Sequence, residues 1–190
     1  VHDSPAVGEN LQDHVFTGIT FKTTIPTVNN QLCSWPRVLL SGARYVLFRS
    51  GPLAQCINQG GLFTNTRSVT GRPDVQLYMI PMSFTVPKIS GGKKVTMTDA
   101  FGGMTINVSP CRPESRGRIR IASADPATAP KIFRNYLDTP EDVRMLVDGL
   151  KIADRIAKTA PLSEIIKQRL YLPERDLTDD DWEEWARSTG

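Results

Sequence analysis

Apolar and polar residues alternate along this chain with two periods, first that of strands and later that of helices. Over 15–21 the alternation runs roughly every second residue, which predicts a strand packed on one face. The polar run over 23–34 predicts a loop. Val38, Leu39, Leu40, Ala43, Val46 and Leu47 then recur at helical spacing, and Ser50-Gly51-Pro52 is a stop signal, so the pattern predicts a helix over 36–48. Residues 59–64 read as a short strand and 74–81 as a clearer one. In the latter, Val75, Leu77, Met79 and Pro81 share one face, while Gln76, Tyr78 and Ile80 share the other. That second face is amphipathic enough to meet a ligand.

Residues 82–102, with Pro87 and the SGGKK run, predict a long loop: a lid, an entrance or a disordered segment. Two further strands follow at 104–108 and 117–122. GRIRIA alternates strictly, which places Ile119 and Ile121 inward and Arg118 and Arg120 on a solvated face. Thr139-Pro140-Glu141-Asp142 then predicts a helix start: a capping hydroxyl, a proline where a missing N–H costs nothing, and acids at the positive end of the helix dipole. Val143, Leu146, Val147, Leu150, Ala153, Ile156 and Ala157 form one apolar stripe that packs this helix on the sheet. Thr178 opens a last helix, on which Trp182 and Trp185 read as packing anchors. Strands first and helices afterwards predict an α+β fold, an antiparallel sheet covered on one face by helices. The other face of that sheet has no partner in the pattern.

Composition narrows the function by exclusion. The 190 residues suffice for one domain with a real core, and 39% apolar with 23% charged residues is ordinary for a soluble globular protein. The net charge of +3 is spread along the sequence, with no basic stripe to track a phosphate backbone, so nucleic acid is not an expected partner. No run approaches the ~20 apolar residues of a membrane span, and the first residues lack the charged-then-apolar pattern of a signal peptide, which leaves open a targeting segment upstream of Val1. Three scattered cysteines, Cys33, Cys56 and Cys111, suit reduced thiols in a cytoplasmic protein. With His2 and His14 the only imidazoles, no metal site is expected.

Candidate chemistry is thin. Asp13 and His14 are adjacent, so on a strand they point apart, and no G-x-S-x-G elbow accompanies them. The acids at 179–181 and 183–184 sit at a helix start, where the dipole explains them. GGLF at 60–63 and GGM at 102–104 lack the strand-glycine-helix context of a phosphate loop. Residue chemistry alone leads to an α+β domain with no complete catalytic set.

Two stretches add more. The opening HDSPAVGENLQDH and SPCRPESRGRIRIASADPATAPKIFRNYLDTPEDVRMLVDGLKIADRIA at 109–157 resemble the glucose-methanol-choline (GMC) oxidoreductases, flavoenzymes that include choline dehydrogenase and other alcohol dehydrogenases. The ordered features are a Pro-x-Ser-Arg-Gly turn at 113–117, a strand, a Ser-x-Asp-Pro turn at 123–126, Pro130, Asn135-Tyr136-Leu137 and the helix that Thr139 caps. In that family an N-terminal G-x-G-x-x-G binds FAD, and a late segment carries the catalytic histidine. Neither is in this sequence. The resemblance therefore implies a substrate-binding domain over 15–190, entered through a junction at 1–14, inactive alone, with no catalytic residue of its own and its open sheet face turned toward a missing FAD-binding domain.

The resemblance also implies site residues. Asn10, Leu11, Asp13 and His14 match the family's segment at the FAD edge. Asn58 takes the place of a glutamate that, in choline-oxidising members, pairs with the quaternary ammonium of the substrate. Asparagine offers no charge to offset desolvation of a cation, so a neutral alcohol is expected. Asn58, Tyr78 and Ile80 are the expected pocket walls, joined by Gln59 and Gln76. FAD and an alcohol are then the ligands of the intact enzyme, and the isolated domain is expected to self-associate weakly through its bare surfaces. A free-standing binding module is the rival expectation. A reading frame that runs on in both directions, into a G-x-G-x-x-G and a histidine-bearing segment, separates the two.

Overall fold

The computed structural model describes residues 3–68, 70–84 and 98–190. Within them lie seven strands and five α-helices: β1 Thr17–Thr23, α1 Val28–Leu32, α2 Trp35–Phe48, β2 Gly60–Thr64, β3 Val75–Ile80, β4 Gly103–Pro110, β5 Arg118–Arg120, β6 Lys131–Phe133, α3 Pro140–Ala157, α4 Leu162–Ile165, β7 Ile166–Leu170 and α5 Asp179–Thr189. Five strands form one sheet in the order β2-β3-β4-β1-β7, antiparallel throughout. The α+β reading is therefore correct, and the first helical layer is where the apolar stripe requires it. The expected loop at 82–102 lies largely outside the described residues, and β4 begins at its far end.

Thr17, Ile19, Phe21 and Thr23 on β1 are all buried, and the residues between them are half-buried, the signature of a strand with one covered face. The cover is α3. Leu146 and Leu150 of its stripe are fully buried against Ile19, Val75 and Val108, and each such leucine contributes about 2 kcal/mol of burial. Gly149 lets α3 approach closely, because a Cβ there would lie well inside contact distance of Val108 Cγ1. Trp182 and Ala186 of α5 close the core from the side of α3. Trp182 is buried and Trp185 donates its indole N–H to the Gly18 carbonyl at 3.1 Å, so both tryptophans are packing anchors as expected.

Two local expectations fail, and two features lay outside what the pattern foretold, each for an identifiable reason. GRIRIA does not join the main sheet: β5 pairs with β6 and, through Gly117 and Ile119, with the segment at Gly8 and Leu11, leaving Ile121 89% exposed and Ile119 at the limit of exposure. A two-stranded ribbon without a layer behind it gives alternation nothing to bury. Its arginines are not merely solvated, since Arg120 pairs with Glu9 and Arg118 stacks 5.1 Å from the Phe133 ring centre. The polar stretch 23–34 contains α1, whose Asn29 is fully buried and hydrogen-bonded to Ser83 on both sides of its amide. β7, lodged between two helices, carries too few apolar positions to be seen in the sequence, yet it completes the sheet edge beside β1. Finally, α2 forms as predicted but packs chiefly on α1 and the turn at Pro52–Ala54 rather than on the sheet.

Candidate functional site

The sheet face opposite α3 is the surface that positions candidate residues. Cross-strand partners share a face, so the register builds it row by row. One row runs Gly61, Tyr78, Asn107, Gly18; the next runs Ile80, Thr105, Thr20, Leu170; a third joins Phe63, Gln76 and Ser109. Gln76, Tyr78 and Ile80 thus share the open face as the alternation of β3 requires. The Phe16 ring, 56% exposed, lies against Tyr78 with centres 6.4 Å apart and planes tilted by 52°. Partial burial pushes the Tyr78 hydroxyl up from its ordinary value, keeping it a neutral donor well beyond physiological pH.

The polar centre of this face was not found by pattern reading. Asn107 is buried, beside Gly18, where any side chain would collide with the Asn107 amide oxygen and come within 2.8 Å of the Ile106 carbonyl. Only a glycine on β1 leaves room for the amide. Thr20 and Thr105 hydroxyls stand 3.3 Å apart, and Thr105 donates to the Met82 carbonyl at 3.1 Å. The signal existed, since Thr105 and Asn107 interrupt the apolar run MTINV at alternate positions. It reads as a second face only once β4 is known to lie in the middle of the sheet.

Ile80 also lines an apolar cavity of about 190 Å³ with Val28, Leu32, Leu53, Ile57 and Met82. Asn58 is exposed at the entrance to β2, next to Ile57 of that wall. Gln59 is held by its backbone N–H to the Met79 carbonyl at 2.9 Å, and its side-chain amide folds back onto the Cys56 carbonyl. The structure thus brings Gln76, Tyr78 and Ile80 together, keeps Asn58 exposed near the apolar cavity, and gives the Gln59 amide a partner in its own loop.

The four junction residues occupy a different place. Leu11 exchanges backbone hydrogen bonds with Gly117 at 3.0 and 2.9 Å, and the Ile119 N–H donates to the Gly8 carbonyl at 2.7 Å, so the segment is stitched to the β5 ribbon. Asn10 turns there with a left-handed φ of 58°. The Asp13 carboxylate accepts from the His14 N–H at 2.8 Å and from the Tyr136 hydroxyl at 2.5 Å. That tyrosine hydrogen bond, helped by the backbone one, holds Asp13 below its ordinary value. The His14 ring faces the Cys111 carbonyl at 3.3 Å. Beside these residues opens a polar recess of about 630 Å³ that Arg112 and Arg116 also line. Asn10 and His14 keep exposed side chains, and the Leu11 main chain, the Asp13 carboxylate and the His14 ring have partners within the chain. The junction residues provide a rim, and the described residues form no enclosed cradle for a dinucleotide around them.

Comparison with known proteins agrees with this architecture. Residues 113–189, from the Pro-x-Ser-Arg-Gly turn to the last turn of α5, match the C-terminal family model described as GMC oxidoreductase. The chain is 32% identical over 183 residues to the alcohol dehydrogenase [acceptor] of Pseudomonas putida, covering 95% of this chain and 32% of that protein. It is 30% identical over 203 residues to the chloroplastic fatty acid photodecarboxylase of Chlamydomonas reinhardtii, covering 100% of this chain and 33% of the relative. The oxygen-dependent choline dehydrogenase of Paraburkholderia xenovorans is 30% identical over 181 residues, covering 95% and 31%. The chain therefore spans about a third of the length of the curated relatives it matches. Among solved structures, a formate oxidase of Aspergillus oryzae superposes with a TM-score of 0.78 at 19% identity, covering 98% of this chain and 36% of that one. The pyridoxine 4-oxidase of Mesorbium loti gives 0.71 at 18%, covering 98% and 31%. The family match over 113–189 and the sequence similarity over nearly the whole chain to an alcohol dehydrogenase and a choline dehydrogenase lead to one assignment: residues 113–189 are a C-terminal domain of the GMC oxidoreductase family, within a chain similar throughout to these proteins.

Proposed function

We propose that this chain is the substrate-binding portion of an FAD-dependent oxidoreductase that takes a hydride from the CH–OH group of a neutral, apolar alcohol. The observation that carries the reading is the sheet face opposite α3, where half-buried Tyr78 and Thr105 flank the buried amide of Asn107 beside the apolar wall at Ile80. The alcohol dehydrogenase relative and the FAD named for the formate oxidase support the chemistry. In this reading residues 15–190 form the substrate-binding domain and residues 1–14 the junction into it.

FAD, when bound by the remainder of the parent protein, supplies the hydride acceptor. The residues of this chain bind and orient. Tyr78 and Asn107 hold a hydroxyl or carbonyl oxygen, Ile80 and its cavity take an apolar substituent, and the sheet excludes water from one side of the substrate. Asn10 and His14 meet the cofactor at its rim. Asn58, exposed and uncharged where a cation-binding member needs a carboxylate, favours a neutral substrate over a quaternary ammonium. Cys33, Cys56 and Cys111 are free thiols, which suits a cytoplasmic setting. Left without its partner domain, the open sheet face associates weakly with copies of itself, which concentration-dependent light scattering detects.

The test is flavin reduction by the parent flavoprotein that contains this sequence, with aliphatic and aromatic alcohols compared with choline. Neutral alcohols are expected to bleach the flavin at well below the concentration that choline requires, and the isolated 190-residue chain to carry no flavin absorbance. Equal reduction by choline would remove the substrate assignment. A yellow, alcohol-oxidising preparation of these residues alone would remove the division of labour.

A further inference from the structure

Helix α2 packs inward through Val38, Ser41 and Gly42 and leaves most of its large apolar residues outward. Its one buried residue is Ser41, while Leu39, Leu40, Val46 and Leu47 are 72%, 71%, 66% and 70% exposed. Trp35 at one end and Phe48 at the other are 76% and 72% exposed. With about 3.6 residues per turn, Trp35, Val46, Leu39, Leu47 and Leu40 fall on one arc of the helix, and Arg44 and Arg37 lie next to each other at its edge. Packing against α1 and the Pro52–Ala54 turn covers the opposite side and leaves this arc bare.

Charge identifies what fits it. Between Asp13 and Asp74 the sequence holds no acidic residue, but it holds Lys22, Arg37, Arg44, Arg49, Arg67 and Arg72. Two copies of α2 brought face to face would set arginines against arginines, so a second copy is disfavoured as the cover. An apolar arc edged only by cations, with a tryptophan at its end, has the form of a helix lying in a membrane interface. At 14 residues α2 is about 21 Å long, short of the ~30 Å hydrocarbon core, and no helix among the described residues is long and apolar enough to cross a membrane. It therefore lies in the surface plane.

We propose that α2 docks this chain on an anionic lipid surface, with Trp35, Leu39, Leu40, Val46 and Leu47 at the boundary of headgroups and acyl chains and Arg37, Arg44 and Arg49 on the lipid phosphates. The proposal does not depend on the flavin chemistry. It is tested by flotation of the parent flavoprotein that contains this sequence, so that a face covered by the rest of that protein gives no binding, with vesicles of phosphatidylcholine alone and of phosphatidylcholine mixed with phosphatidylserine. The parent protein floats with the anionic vesicles, scarcely with the neutral ones, and less as salt rises. Leu39→Glu with Leu47→Glu abolishes flotation. Arg37→Gln with Arg44→Gln weakens it roughly tenfold, as expected when near-surface cations are removed. Trp35→Phe removes a blue shift of tryptophan emission that anionic vesicles induce in the native chain. These side chains are exposed, and circular dichroism checks that the fold is kept. No flotation with either vesicle, equal flotation with both, or a dimer in lipid-free buffer that Leu47→Glu disperses would each overturn the proposal.

Discussion

The Asp142 carboxylate and the Ser115 hydroxyl meet at 2.5 Å in the protein interior, and the same carboxylate accepts the Glu114 and Ser115 backbone N–H groups at 2.8 Å each. Ser115 Oγ in turn accepts from the Asp138 and Thr139 N–H groups at 3.0 and 3.3 Å. The first turn of α3 is thereby tied to the turn that leads into β5. Asp142→Ala orphans buried donors and is expected to cost about 2–4 kcal/mol. Asp180→Ala, at the exposed start of α5, removes only a helix-dipole contact and is expected to cost less than about 1 kcal/mol. Urea unfolding of the two variants measures the contrast, with a drop in midpoint and little change in slope.

The same carboxylate makes stability depend on pH. Burial by itself raises the Asp142 pKa, but the Ser115 hydroxyl, the Glu114 and Ser115 N–H groups and Thr139 together outweigh it and hold the group below its ordinary value. A folded pKa below the unfolded one gives stability that is fully present above the unfolded value of about 4 and lost as pH falls through the folded one. The gap in urea midpoint between the native chain and Asp142→Asn should hold steady near neutrality and narrow below about pH 4. A gap that widens on acidification would contradict the sign.

Gly149 should reject even a methyl group. In an exposed helix, Gly→Ala gains about 0.5–1 kcal/mol, but here the new Cβ would collide with Val108 Cγ1 and touch Val75 Cγ1 at 3.6 Å. Gly149→Ala is expected to destabilise by about 1–3 kcal/mol as α3 is pushed off the sheet. Val108→Ala alone opens a cavity and also destabilises, whereas the double variant recovers part of both losses. A double-mutant cycle on thermal unfolding reads that coupling.

Tyr136 and Asp13 should titrate as partners. Their hydrogen bond raises the tyrosine above its ordinary value and lowers the aspartate. Asp13→Asn removes the charge that opposes tyrosinate formation, so one tyrosine should move toward the ordinary value near 10. Tyrosinate absorbance on alkaline titration detects the change, and Tyr136→Phe supplies the assignment.

These positions also show what the sequence could reveal. The α3 stripe, its Thr139 cap, the two faces of β3 and the tryptophans of α5 were legible because each obeys a local period or cap. Asp142 looked like a dipole residue, and its buried partners lie some 27 residues away. Asn107 and Thr105 became site candidates only through the register with β3 and β1, which no single strand encodes. α2 was legible as a helix but not in orientation, because periodicity locates an apolar face without saying what covers it.

Asn58 is the position where one substitution should redirect selectivity. It is exposed, beside the apolar wall that Ile57 and Ile80 form, and it carries no charge. A desolvated ammonium needs a carboxylate to offset its burial, and an amide supplies only a dipole. In the parent flavoprotein, Asn58→Glu is therefore expected to raise kcat/KM for choline relative to an uncharged alcohol of similar size, by about tenfold if the new pair forms partly desolvated. Because the side chain is exposed, the fold should be unaffected, and Asn58→Gln should leave the ratio nearly unchanged. Rapid-mixing flavin reduction with both substrates measures the ratio directly. If glutamate and glutamine alter it equally, Asn58 does not face the substrate, and the pocket is to be sought nearer Tyr78 and Asn107.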